Sequence, residues 1–248
     1  YCAAFVIMPI SVDVALLSGR AVRVDVEPDE TVEELKQKAQ LLLGARGRLV
    51  SNLGTILAGQ RTVAESGVVD GSRATLCVRP VSVASSSRAF AAILSDGSVV
   101  TWGFPGDGGD SRSVQEQLKN VQHIQATDRA FAATLDDGSV VTWGWSTGGG
   151  DSFVVHEELK HVQCIQATAQ AFAAIREDGS VVTWGHADYG GNSDAVQDQL
   201  FDVEMIQACH FSFAAIRADR SVVTWGDAVR GGNSSSVADQ LQGVQQIQ

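Results

Sequence analysis

The stretch that decides the fold is Asp96-Gly97-Ser98-Val99-Val100-Thr101-Trp102-Gly103, which returns at a spacing of 41 residues twice unchanged and a third time with Arg220 in place of the first glycine. The same spacing separates members of several other residue sets, so that four copies fill roughly residues 83–247 without a gap. A period of this size is typical of a propeller or a solenoid. The repeated aromatic residues are Trp102, Trp143, Trp184 and Trp225, with Phe90, Phe131, Phe172 and Phe213.

Each copy predicts three short strands, as in a propeller blade. In the first copy two of them are residues 90–94 and 98–102, joined at Asp96-Gly97 by a type I′ hairpin turn, since glycine tolerates positive φ. The third, residues 121–126, is predicted to close the copy. Arg220 replaces the turn glycine in the fourth copy, and we expect that hairpin to be altered or strained.

The repeated tryptophans are predicted to lie in the blade cores. Trp145 lies outside their spacing, at the start of a loop, and is the better candidate for an exposed contact. The following loop repeats a Gly-Gly-Asp/Asn-Ser motif. One side-chain oxygen per copy does not supply the six or more ligands of calcium, so we predict Asx turns there.

Residues 10–79 predict a different fold, which begins with a hairpin of two alternating strands. A helix follows, with Thr31 and Glu34 placed as a capping box and Gly44 as its C-terminal cap. Shorter strands are predicted near residues 48–50 and 74–78. The buried helix face is predicted to contain Val32, Leu35, Ala39 and Leu42.

Charge separates the two regions. The chain has 18 basic and 29 acidic residues, a net charge of −11. Residues 1–80 contain nine of each sign, so residues 81–248, with nine basic and twenty acidic residues, account for all of the −11. This balance opposes binding to nucleic acid or anionic lipid, and no apolar run reaches the roughly 18 residues of a membrane span. The four cysteines show no CxxC pairing, which favours reduced intracellular thiols.

Two family resemblances rest on these residues. The run DGSVVTWG, followed by a glycine pair and a V-x-x-I-x-A strand, resembles the regulator-of-chromosome-condensation (RCC) repeats, with short blades similar to those of propeller-type β-lactamase inhibitor proteins. The segments VEPDETVEELKQKAQ (26–40), RLV (48–50), AGQRTV (58–63) and ATLCVR (74–79) resemble ubiquitin-like domains. The second resemblance implies that a hydrophobic recognition patch maps onto Leu17, Val50 and Arg79.

The predicted fold is an α+β ubiquitin-like β-grasp at residues 10–80, after an extension or fragment end at 1–9, joined to an all-β propeller segment at 81–248. The first resemblance implies a complete ring of seven blades, as is general in that family, so four repeats imply an incomplete ring. Three explanations stay open: further repeats beyond Gln248, pairing of the arc with itself or another chain, and an unusually tight four-bladed ring. We favour the first. The blades are predicted at about 83–123, 124–164, 165–205 and 206–248.

The predicted function is that of a non-enzymatic protein–protein interaction scaffold. No catalytic, cofactor or metal signature is present in the sequence. The resemblance to ubiquitin implies docking to ubiquitin-binding receptors through Leu17, Val50 and Arg79, and the acidic repeats favour a basic protein partner. Self-association through open blade edges and a cytoplasmic or nuclear location are also expected. The alternative that the resemblance implies is that this chain is the N-terminal part of a HECT-type ubiquitin ligase whose catalytic domain lies beyond it. A third interpretation, ranked after the ligase, is a guanine-nucleotide exchange factor.

Overall fold

The chain is built almost entirely from small β-sheets. The computed structural model describes residues 8–57, 59–78 and 80–247, which form five sheets of three or four strands and one α-helix. The chain divides into two compact units: the first runs to Val81 and also contains Leu94–Gly97, and the second comprises Ser82–Ile93 and the chain from Ser98 onward. None of the described helices is long and apolar enough to cross a membrane.

The first unit contains a four-stranded mixed sheet and the helix. The chain order of hairpin, helix, strand and strand is the predicted one. Strands β1 and β2 are antiparallel, β1 and β4 are parallel, and β3 pairs antiparallel with β4, so that the order across the sheet is β2-β1-β4-β3. The elements are β1 Ile10–Ala15, β2 Ala21–Val26, α1 Val32–Leu43, β3 Arg48–Ser51 and β4 Arg73–Cys77.

Helix α1 begins and ends as its sequence predicts. The Thr31 hydroxyl accepts a hydrogen bond from the Glu34 amide at 3.3 Å, and the Glu34 carboxylate accepts one from the Thr31 amide at 2.7 Å. Gly44 ends the helix at φ +65°. The predicted buried face is wrong at one position, because Leu43 is buried and Leu42 is exposed. Leu43 lies four residues after Ala39 and so continues the stripe that packs on the sheet.

The second unit consists of four consecutive three-stranded antiparallel sheets, which form a propeller-like array of repeats. The first strands of neighbouring sheets pack against one another. Short 3₁₀ turns connect the sheets. The first two sheets are β5 Ser82–Ser85, β6 Ala89–Ile93 and β7 Val99–Gly103, then β8 Val121–Ala126, β9 Ala130–Leu135 and β10 Val140–Gly144. The last two are β11 Val162–Ala167, β12 Ala171–Arg176 and β13 Val181–Gly185, then β14 Val203–Ala208, β15 Ser212–Arg217 and β16 Val222–Gly226.

Strand β8 opens the second sheet and does not close the first, contrary to the prediction. It pairs with β9 across the tight turn at residues 127–129, whereas residues 104–120 form a long connection after β7. A short turn keeps successive strands as neighbours, while a long connection carries the chain to the next sheet. The structural repeat therefore begins with this strand, and the predicted divisions at 124, 165 and 206 fall inside strands.

The hairpin turn differs in type from the prediction. Type I′ requires positive φ at both central residues, but only Gly138 in the second turn has it, at +78°. The Gly138 amide donates a hydrogen bond to the Leu135 carbonyl, so the loop has three residues. The last of them is a glycine in the left-handed conformation. Arg220 adopts the same conformation at φ +68° and keeps the equivalent bond to Arg217. The fourth hairpin is thus strained but not altered.

One joint recurs between neighbouring repeats, as between the second and the third. Phe172 stacks on Trp184 with ring centroids 5.1 Å apart, and the indole Nε1 donates to the Gly149 carbonyl of the preceding repeat at 3.0 Å. Gly149 has φ +95°, and a Cβ there would lie 2.5 Å from the Phe172 ring, so the position requires glycine. The other two joints use the same bond, from Trp143 to Gly108 and from Trp225 to Gly190.

The Gly-Gly-Asp/Asn-Ser loops contain the predicted Asx turns. In every copy the Asp or Asn side-chain oxygen accepts a hydrogen bond from the amide two residues later, at 2.8–3.0 Å. The following serine hydroxyl lies 2.9–3.0 Å from the repeated threonine hydroxyl of the third strand. These bonds hold each loop against its own sheet. The residues concerned are Asp110, Asp151, Asn192 and Asn233.

Candidate functional site

The first unit exposes one face of its sheet. Along β1 the side chains alternate, so that Val12 and Val14 are buried under the helix while Asp13 and Ala15 point to the other face. Ala15 pairs with Thr75 of β4, and Thr75 pairs with Val50 of β3. One row across the sheet therefore brings Ala15, Thr75 and Val50 together, and Val50 is half-buried there.

Leu17 lies in the turn that follows β1, and 84% of its surface is exposed. The turn is closed by the Leu16 amide bonded to the Arg20 carbonyl at 2.8 Å and the Gly19 amide bonded to the Leu16 carbonyl at 2.9 Å. Leu17 is therefore presented at the end of the strand whose Ala15 begins the row to Val50. The third predicted patch residue, Arg79, lies outside the described residues.

Charged groups share this face with the apolar residues. Arg23 Nε lies 3.0 Å from an Asp13 carboxylate oxygen, and this hydrogen bond holds the Asp13 pKa below its usual range. A shallow depression beside the pair is lined by Ala15, Ala21, Asn52 and Arg73. A partner of this surface would meet a row of small side chains bordered by an exposed ion pair, and exposed pairs of this kind add little stability.

Two turns of each repeat meet at one end of the sheets of the second unit. One turn joins the first and second strands, and the other is the 3₁₀ turn after the third strand. We call this the loop end. Trp145 lies there, half-buried, with the Arg129 guanidinium 4.2 Å from its ring centroid. A Cβ on Gly148 would lie 3.0 Å from the same ring. One face of Trp145 is thus covered by a cation–π contact.

A buried carboxylate links the loop ends of the first two repeats. Asp107 is fully buried, and its two oxygens accept hydrogen bonds from Arg88 at 2.6 Å and Arg129 at 2.8 Å. Burial raises the pKa of this carboxyl, but the hydrogen bonds from both arginines outweigh it, and the net pKa lies below the usual range. Arg88 also covers Phe104, at 4.2 Å from the ring centroid.

The loop end of the third and fourth repeats carries an aromatic cluster in place of this ion pair. Tyr189 packs against Phe211 with ring centroids 5.0 Å apart, and His210 lies 4.5 Å from Phe211. His186 contacts Tyr189 at 5.3 Å, and the Arg230 guanidinium lies 4.4 Å from the Phe211 centroid. Both clusters were missed by the sequence prediction. Aligning the copies by their 41-residue period reveals them, because one equivalent position is arginine in the first two copies and glutamine, then phenylalanine, in the last two. These residues are Arg88, Arg129, Gln170 and Phe211.

The described residues contain no group of three or more His, Cys, Asp or Glu side chains placed to hold a metal ion. The thiols of Cys77, Cys164 and Cys209 are free, and the last two are exposed.

No protein-family model and no curated protein matches this chain. Among solved structures, the chain is similar to a de novo designed protein based on ubiquitin, with 30% sequence identity over 27% of this chain and 85% of that chain. The TM-score of that match is 0.26, so the likeness does not establish a shared fold.

Proposed function

We propose that this chain is a non-enzymatic interaction protein, in which a ubiquitin-like β-grasp unit and an RCC-type propeller unit each offer a binding surface. The observation that carries the proposal is the contrast inside the repeats. The aromatic pair and the loop glycine of the joint are constant, while the residues of the loop end change from copy to copy. The equivalents of Trp145, for example, are Phe104, His186 and Asp227.

A constant frame with variable ends suits protein recognition. Rigid sheets position loop side chains, and binding residues are found disproportionately on such loops. The loop end contains arginine, tryptophan, tyrosine and phenylalanine, and these residue types are enriched at protein interfaces. The twenty acidic residues of 81–248 favour a basic protein as the partner of this unit.

The first unit is proposed to dock ubiquitin-binding receptors through Leu17 and the Val50 row. The mixed sheet, the capped helix and the exposed leucine at the first turn support this proposal. Leu17 follows the strand whose Ala15 begins the row to Val50, so a single partner surface can contact both the exposed leucine and the row.

The test is binding of the full chain to a panel of purified ubiquitin-binding domains, measured by surface plasmon resonance. Leu17→Asp is expected to weaken binding at least about tenfold, because a carboxylate is left unpaired in an apolar contact. Leu41→Asp is the matched control, since Leu41 is equally exposed at 84% but lies on helix α1. Equal binding by wild type and Leu17→Asp, or no binding by wild type to any domain, would contradict the proposed docking.

A further inference from the structure

Arginine side chains lie over aromatic rings at the loop ends of three of the four repeats. The Arg88 guanidinium lies 4.2 Å from the Phe104 ring centroid. Arg129 lies at the same distance from the Trp145 ring. Both arginines also donate to the buried Asp107 carboxylate, at 2.6 and 2.8 Å. The acid neutralises the cation and the ring covers its flat face, and we call this arrangement an acid–arginine–aromatic triad.

The fourth repeat forms a triad from other positions. The Arg230 guanidinium lies 4.4 Å from the Phe211 centroid and donates to the Asp227 carboxylate at 2.7 Å. Arg230 is equivalent by period to Asp107, so an arginine stands here where the first repeat has the acid. The triad therefore recurs through its chemistry and not through the repetition of one sequence.

The third repeat contains an acid and an aromatic ring at its loop end but no arginine. Asp188 and Tyr189 are adjacent in the 3₁₀ turn Ala187–Tyr189. The position that is arginine in the first two repeats is Gln170 here. Among the described residues, no basic side chain forms an ion pair with Asp188, and no guanidinium lies over the Tyr189 ring.

A cleft of about 630 Å³ lies beside these two residues, between the 3₁₀ turns of the third and fourth repeats. One wall includes Asp188 and Tyr189, and the other includes Phe211 and Val229. Asp188 is exposed, and 93% of the surface of Val229 is exposed. The volume lies within the range of binding clefts in proteins, about 300–1,000 Å³, so the cleft can receive a side chain of a partner.

The residues that border the cleft are held in place. Tyr189 packs against Phe211 with ring centroids 5.0 Å apart, and the His186 ring meets Tyr189 edge-on at 5.3 Å. His186 also fixes the turn, because its Nδ1 accepts a hydrogen bond from the Asp188 amide at 3.3 Å. Little conformational freedom is therefore lost when a partner contacts Asp188 and Tyr189, which lowers the cost of binding.

The charges around the cleft favour a cation. Arg230 and Asp227 both line it and form an ion pair with each other, so their charges balance. Asp188 then leaves one negative charge on the lining. Residues 81–248 as a whole have a net charge of −11, so the unit attracts a basic segment over longer distances while Asp188 supplies the close contact.

We propose that the cleft receives an arginine side chain of the basic protein partner, which completes the triad of the third repeat. The guanidinium pairs with the Asp188 carboxylate and lies against the Tyr189 ring, while its aliphatic chain contacts Val229. Arginine fits the cleft better than lysine, because its planar group stacks on rings and forms two parallel hydrogen bonds with one carboxylate. This inference rests on the basic partner proposed for the second unit, and it adds the place and the residue type of the contact.

Fluorescence anisotropy of a labelled peptide in which arginine alternates with serine tests the proposal on the full chain. The salt concentration is about 0.15 M, where exposed charges more than about 8 Å apart are largely screened. The wild-type chain is expected to bind this peptide several-fold tighter than the same peptide with lysine in place of arginine. Asp188→Asn is expected to weaken binding at least about fivefold. Asp198→Asn is the matched control, because it removes the same charge from an exposed residue of the same repeat that does not line the cleft.

The aromatic ring is tested separately. Tyr189→Leu is expected to weaken binding several-fold, because leucine keeps an apolar contact but has no π face for a guanidinium. Tyr189→Phe keeps the ring and is expected to bind as the wild-type chain does. Circular dichroism and urea unfolding of each variant establish that it is folded.

An arginine supplied by the chain itself gives the sharpest result. Gln170→Arg adds one at the position that is arginine in the first two repeats. The new side chain is expected to compete with the peptide and to weaken binding at least about fivefold. Gln199→Arg is the matched control, because it adds the same charge to an exposed residue of the third repeat outside the cleft.

The outcomes separate this inference from the proposed function. Equal effects of Asp188→Asn and Asp198→Asn, equal effects of Gln170→Arg and Gln199→Arg, or unchanged binding by Tyr189→Leu would overturn the contact in the cleft and leave a basic partner for the unit. Equal binding of the arginine and lysine peptides would overturn the assignment to arginine. No binding of either peptide at about 1 mM would overturn both the inference and the proposed basic partner.

Discussion

The first repeat and the inner repeats contain the same aromatic pair in the same stacked geometry, yet they differ in what covers it. Phe90 and Trp102 are nearly half exposed, while Phe172 and Trp184 are buried against the loop of the preceding repeat. The difference shows that the blade supplies the shape of the pair and the neighbour supplies its burial. In repeat proteins stability is divided in this way between each repeat and its interfaces.

The largest expected effect compares the two tryptophans directly. Trp184→Ala should lower the free energy of unfolding by about 3–5 kcal/mol, because it removes a buried ring and leaves a cavity. Trp102→Ala should cost only about 1–2 kcal/mol, since it removes a half-exposed ring that stacks on Phe90. Urea unfolding at low protein concentration measures both. All five tryptophans lie in the second unit, so their fluorescence reports that unit alone.

Equal losses for the two tryptophan variants would contradict the comparison, because they would mean that the preceding repeat adds nothing to the pair. The remaining tryptophans provide the signal in each variant, so the two unfolding curves remain comparable.

A smaller effect is expected at the joint between the first two repeats, which contains the buried Asp107 carboxylate. Asp107→Asn should lower the free energy of unfolding at pH 7 by about 1–3 kcal/mol, because two charge-assisted hydrogen bonds are weakened. Its pKa in the folded chain is lowered, so its contribution is complete above the unfolded value near 3.9 and is lost as the pH falls toward the folded pKa.

Urea unfolding at a series of pH values follows this contribution. The gap between wild type and Asp107→Asn should hold from neutral pH to about pH 5 and shrink below about pH 4. Asp110→Asn is the control, because Asp110 forms an ion pair with the exposed Arg112 and exposed pairs contribute little to stability. A gap that widens on acidification would show that Asp107 does not stabilise the joint as an anion.

The smallest effect concerns the hairpin of the fourth repeat. Arg220→Gly should raise the free energy of unfolding by about 0.5–1 kcal/mol, because a non-glycine residue in the left-handed region is strained. Gly179→Arg in the third repeat should lower it by a similar amount, since its Cβ would lie 3.0 Å from Asp202. Glu204→Gln measures the exposed ion pair of Arg220 separately. No change in either turn variant would mean that this backbone position is indifferent to side chains.

Sequence patterns predicted the features that depend on local chemistry. The 41-residue period, the strands, the Asx turns and the Thr31–Glu34 capping box arise from residues close together in the chain, and the structure confirms them. The buried helix face was correct except for Leu42. Leu42 and Leu43 lie three and four residues after Ala39, and both intervals fit a helical stripe. Hydrophobic spacing alone therefore does not distinguish these two positions.

The features that the sequence did not predict depend on neighbours in space. The run Val99-Val100-Thr101-Trp102-Gly103 is identical to the run around Trp184. The exposure of Trp102 follows from its neighbours, because no repeat precedes it in the described part of the chain. The assignment of β8 to the first sheet was wrong because strand pairing depends on which connection is short, and a period has no natural starting point. At the candidate sites, Leu17 is exposed as a docking residue requires, while the Asp107 and Phe211 clusters join side chains about twenty residues apart.

Each joint connects atoms separated by the same length of chain. The indole-to-glycine bonds of all three joints span 35 residues, so none of them depends on how many repeats come before or after. Duplication of a 41-residue segment inside the gene would therefore create a new repeat together with a new joint, and would leave every older joint unchanged. An array built in this way can change its number of repeats in evolution without redesigning any contact.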